Sequence, residues 1–171
     1  MRRELFHPSA EGQLRLLLLI QAFSGEDRTL EGRTKLAKLD FLLRYPHYLR
    51  RALLIRRRTA VPPEELETMD VETRMVRFRY GPWDPAYFAL LGSLIGRGLV
   101  VLVPEAHGLG FRTTEAGREL TTRIAADPDW APVAERCALL RQNFDQTGTS
   151  LKNFIYRHFP EVVAARWGET L

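Results

Sequence analysis

Residues 84 to 117 leave few choices of structure. Asp84-Pro85 reads as an N-cap followed by proline at the first helical position, and Gly98 supplies a stop. Leu99 to Val103 is then a short apolar strand. Pro104 to Gly110 is a turn containing glycine, and Phe111 to Thr113 is a return strand. Thr114-Glu115-Ala116-Gly117 opens a further helix through Ile124. A helix, a two-stranded hairpin and a second helix therefore follow one another with no room for a long loop.

Upstream, Ser9 predicts the N-cap of a helix running to about Phe23, with Leu14, Leu17, Leu18 and Phe23 on its buried side. A second helix spans about Thr34 to Tyr45, where Leu36, Leu39, Leu42 and Leu43 recur at helical spacing and Lys35 and Lys38 fall on another face. Pro46 breaks it, since the residue before a proline avoids helical geometry. A third helix then runs through Leu49, Leu53 and Leu54 into Arg56-Arg57-Arg58. Residues 59–72 read as a charged linker with Pro62-Pro63, and Thr73 to Tyr80 alternates like a strand. Helices are expected at Asp129–Phe144, Ser150–His158 and Pro160 to about Trp167. The expected fold is α+β and helix-rich. It has a winged helix-turn-helix-like core within residues 1–128, and residues 129–171 form a C-terminal helical extension packed on it.

With 171 residues the chain can bury an ordinary core. Its single cysteine, Cys137, excludes an intramolecular disulfide and a cysteine-built zinc site, and it reads as a small buried hydrophobe in a reducing, cytoplasmic setting. No apolar run approaches the ~20 residues of a membrane span. His7, His47, His107 and His158 are scattered, and phosphate-loop and nucleophile-elbow spacings are missing. An enzyme is therefore not expected, nor a metal or cofactor.

Charge is distributed unevenly. The whole chain carries +4, yet residues 28–58 alone carry +8, and 22 of its 25 basic residues are arginine. Arginine's planar fork suits phosphate and carboxylate. Arg44, Arg50, Arg51, Arg56, Arg57 and Arg58 are the candidates for contact with a nucleic-acid backbone or an acidic partner, against the plainer reading of a solvated face. Phe154, Tyr156, Phe159 and Trp167 place four aromatics in one short C-terminal stretch. They read equally as a partner-binding surface or as part of the core. The helix before the hairpin is the usual reader in a winged helix. Here its expected core face is Tyr87, Phe88, Leu91, Leu94 and Ile95, and its other face, Ala86, Leu90, Ser93 and Arg97, is poor in groups that read base edges. Gly92 and Gly96 within it predict a flat strip on which another element of the chain packs, or, alternatively, a partner's backbone.

Three stretches carry a resemblance. They are Thr34 through Pro46; Arg77-Phe78-Arg79-Tyr80-Gly81-Pro82-Trp83-Asp84 leading to Gly98-Leu99-Val100; and Phe154-Ile155-Tyr156 through Phe159-Pro160-Glu161 to Trp167-Gly168-Glu169. Together these resemble the middle components of bacterial ABC three-component systems, the group that includes Lamassu-type anti-phage defence. The resemblance implies a non-enzymatic accessory subunit. Its partners would be an SMC/Rad50-like ATPase and an effector nuclease, with help in sensing foreign DNA ends or restraining the effector; contact with the backbone of double-stranded DNA is what the arginine-rich segment itself offers. A homodimeric winged-helix transcription regulator, with Asp129 to Phe144 as dimer helix, and an antitoxin-like protein-binding module are the alternatives.

Overall fold

The computed structural model describes residues 8–56, 75–78 and 81–171. Its elements are α1 (Ala10–Phe23), β1 (Leu30–Glu31), α2 (Gly32–Arg44), α3 (Pro46–Ile55), β2 (Val76–Phe78), β3 (Gly81–Trp83), α4 (Tyr87–Gly96), β4 (Val100–Glu105), β5 (Gly108–Thr113), α5 (Glu115–Ala125), α6 (Ala131–Phe144), α7 (Gly148–His158) and α8 (Pro160–Ala164). This is a helix-rich α+β arrangement. The Arg57–Arg58 end of the arginine run, the 59–72 linker and most of the flanks of the expected 73–80 strand lie outside the described residues.

The helix α1 starts where Ser9 accepts a hydrogen bond from the Gly12 amide at 3.1 Å. Its expected one-sided apolar stripe is too narrow. Arg15 and every residue from Leu16 to Ile20 are buried, because α4, α5 and α6 all pack around this helix. On α2, Lys35 and Lys38 are buried along with the leucines, as α6, α7 and β3 cover their side.

Among the described residues two antiparallel sheets form. One has the order β1-β5-β4, with Leu30 opposite Phe111 and Leu102 opposite Phe111 on the other side. The hairpin is tighter than expected: only Ala106 and His107 separate the strands, and Gly108 at φ +131° makes the turn possible. The second sheet is the ribbon β2-β3, with Val76 opposite Trp83. Backbone bonds from Leu171 N to Met75 O, Arg77 N to Glu169 O and Gly168 N to Arg77 O add the C-terminal residues to this ribbon's other edge.

The α5 start bears out its capping signature, with Thr114 accepting from the Gly117 amide at 3.1 Å. A side chain at Gly117 would sit 2.2 Å from the Leu99 carbonyl oxygen, so only glycine allows helix and strand to meet there. The α4 start differs from expectation. Asp84 does not cap the helix: it accepts from Ala86 N at 2.8 Å within a turn over Pro85 and Ala86, and the helix begins at Tyr87 with Ala86 in the N-cap position. The α4 face is also rotated. Leu90 joins Tyr87, Leu91 and Leu94 in the core, whereas Phe88 is 63% exposed.

Candidate functional site

The arginines expected to meet a partner have quite different surroundings. Arg44 is buried on α2; its guanidinium donates to Asp84 at 2.6 Å and lies 3.6 Å from Asp40. It cannot reach a nucleic-acid backbone, which corrects its place among the contact candidates. Arg51 is exposed, pairs with Glu161 and packs over the rings of Tyr48 at 5.3 Å and Phe159 at 4.8 Å. Arg56 lies over Phe144 at 4.9 Å and Phe154 at 5.2 Å. Arg50 is half-buried on α3.

These same rings belong to the aromatic tail. Phe159 is fully buried, edge-on to Tyr48 at 4.9 Å and to Phe154 at 6.1 Å. Phe154 is half-buried against Phe144 at 5.7 Å. A side chain at Gly81 would come within 3.2 Å of the Tyr156 ring, and the Arg77 guanidinium lies 5.9 Å over that ring. Arg51 and Arg56 thus each lay a guanidinium on rings of the aromatic tail, linking the end of α3 to α6, α7 and α8. The burial of Phe159 removes it from any surface, since its ring fills the core. Of the four aromatics Trp167 alone is largely exposed.

A charged cluster sits in the interior where α1, α2 and α4 meet. Asp40, fully buried, accepts from Arg15 Nε at 2.8 Å and from the Tyr87 hydroxyl at 2.7 Å, and Arg44 bridges it to Asp84. Burial alone would raise the Asp40 carboxyl, but Arg15 and Arg44 overcome it and hold the group below its ordinary value. The same burial, with Asp40 alongside, raises the Tyr87 hydroxyl well above its own. Such a cluster locks three helices in one register. Its groups are ion-paired and hydrogen-bonded to one another, and its place at the helix junction gives it a structural role.

Lys38, on the same helix as Arg44, is a different case. Its side chain is buried and donates to the Pro82 carbonyl at 3.3 Å. Burial, with Arg77 and Lys152 nearby, lowers its ammonium to about 7. It lines a cavity of about 310 Å³ with Arg33, Thr34, Gly81, Pro82, Trp83 and Phe88. On α6, Arg136 is fully buried, and no guanidinium nitrogen meets a hydrogen-bond acceptor among the described residues. Cys137 beside it is buried as expected, which pushes its thiol up to about 12 and makes it a poor nucleophile.

Sharing Arg33, Thr34 and Phe88 with the Lys38 cavity, an open groove of about 690 Å³ runs between α4 and the β4–β5 hairpin. Its apolar lining includes Phe88, Ile95, Leu102, Leu109 and Phe111. Leu102 is 45% exposed and Leu109 51%. Side chains added at Gly92 or Gly96 would meet nothing within 4 Å, so no element of this chain packs on the glycine strip among the described residues. That overturns the expected internal packing. The groove escapes sequence reasoning because its Phe88 edge depends on the rotation of α4. The two glycines are the available signal.

No protein-family model, curated protein or solved structure matches this chain. Among the described residues no group of histidine, cysteine and carboxylate side chains could hold a metal ion, and no helix is long and apolar enough to cross a membrane.

Proposed function

We propose that the chain is a non-enzymatic, cytoplasmic accessory subunit with a winged-helix-like core. It docks on an SMC/Rad50-like ATPase and links it to an effector nuclease in anti-phage defence. The run α1-β1-α2 and, after the inserted α3 and β2–β3 ribbon, α4-β4-β5-α5, with the sheet order β1-β5-β4, supports the winged-helix part of this reading. The observation that carries the docking role is the surface of α4. Where a DNA-reading helix would present arginine, asparagine or glutamine, it presents Phe88, Gly92 and Gly96. An apolar face with missing side chains suits protein. The dimeric-regulator reading needs α6 as a dimer helix, but α6 buries Val133, Cys137, Leu140 and Phe144 within its own chain.

Co-expression with an SMC-like ATPase encoded beside this chain tests the proposal. A stable complex and no ATP turnover by the isolated chain are expected; failure to assemble, or turnover lost on a point substitution in this chain, overturns it. DNA contact through Arg50, Arg51, Arg56, Arg57 and Arg58 belongs to the same proposal. Replacing Arg56, Arg57 and Arg58 with alanine should flatten the log–log salt dependence of DNA binding by the complex by up to ~3. An unchanged slope removes the DNA contact.

A further inference from the structure

We propose that the groove between α4 and the β4–β5 hairpin seats an amphipathic helix of a partner protein whose flanks carry carboxylates. The inference rests on the docking role proposed above and names the partner chemistry of that surface.

Three observations carry it. The first is shape: Gly92 and Gly96 lie one turn apart with open space above them, so a helix backbone can approach α4 closely. Helices bound in grooves are anchored by apolar side chains at helical spacing; Leu102, Leu109 and Phe111 of the hairpin supply the facing wall, and Phe88 and Ile95 the α4 side. The second is charge. Arg33 stands at one end of the groove with its guanidinium 4.9 Å above the Phe88 ring, and Arg97 stands just beyond Gly96 at the other end of α4. Neither makes an ion pair among the described residues, and no carboxylate lines the groove. The third argues against a second copy of this chain docking into the groove through α3. Among the described residues, the exposed large apolar helix positions away from the groove are Leu54 and Ile55 on α3, and Arg50, Arg51 and Arg56 flank them. Those cations would meet Arg33 and Arg97, and like charges disfavour that pairing.

The probes are synthetic helical peptides of ~18 residues with one leucine stripe and flanks of either glutamate or lysine, titrated calorimetrically into the full chain. The glutamate-flanked peptide is expected to bind at least about tenfold more tightly, a difference of ~1.4 kcal/mol. Gly92→Gln, which fills the strip with a better helix former, should weaken it by a similar factor while the thermal midpoint holds or rises. Arg33→Glu should reverse the preference between flanks. Equal affinity for both peptides, no binding of either, or affinity unchanged in Gly92→Gln overturns the inference. If the ATPase complex assembles with wild-type and Gly92→Gln chains alike, the groove inference fails and the subunit reading stands. If the glutamate-flanked peptide binds but no complex forms, the reverse holds.

Discussion

The helices α2 and α4 reverse the usual relation between polarity and burial. In sequence α2 carries Arg33, Lys35, Lys38, Asp40 and Arg44, and everything from Lys35 onward is buried. The helix α4 contains no charged residue, yet it leaves Phe88, Gly92 and Gly96 in the open. Charges can be buried on α2 because each finds a partner or a covering element: Lys35 bridges Glu31 and Asp145 at 2.7 and 2.8 Å, and Asp40 and Arg44 pair with groups from α1 and the α4 start. Apolar surface remains on α4 because no described residue of this chain covers it. Charge pattern alone therefore reports neither helix's environment.

Removing one partner from the α2 cluster gives the largest expected effect. Asp40→Ala takes away the carboxylate that lies 2.8 Å from the buried Arg15 Nε, and should cost about 3–5 kcal/mol in urea denaturation. Arg15→Met/Asp40→Leu, which removes both charges, should recover most of that loss. If the double variant is as unstable as the single one, the cluster holds the helices by more than charge pairing.

Lys38 gives the next effect, and its sign follows from protonation. Between about 7 and its ordinary 10.5, the unfolded chain holds a proton that the folded chain has released. The penalty for burying this group is therefore relieved as pH rises through that window, and stability increases by about 3 kcal/mol between pH ~7 and ~9.5. Lys38→Met should flatten the rise in denaturation midpoints across those pH values. An unaltered pH profile would mean that Lys38 stays charged in the folded protein.

On α4 the expected effect is smallest and opposite in sign. Gly92→Ala meets no neighbouring atom and improves helix propensity, so it should stabilise the isolated chain by about 0.5–1 kcal/mol. Loss of stability instead would show that the strip is packed in solution, and the contrast between the two helices would disappear.

Local signals are legible where a side chain acts on its own backbone. Ser9 and Thr114 cap the helices that their positions predict, and Gly98 lies just past the end of α4. The two-residue strand β1 is not legible, since Leu30 and Glu31 are strand only through pairing with β5. The face of α4 is ambiguous in sequence because Phe88 and Leu90 are both apolar, and only the position of α1 decides which is buried. Arg44 joins the wrong group for a related reason. A run of arginines shows the sign of the charge but not that Asp84, forty residues on, will sit at 2.6 Å from one of them.

That contact between Arg44 and Asp84 also ties together the two ends of a long segment. Residues 46–83, which include α3 and the β2–β3 ribbon, begin and end at one place. Closing a loop costs only about 0.6 kcal/mol more for each doubling of its length. A single buried ion pair therefore returns the chain to the end of α2 just before α4 begins.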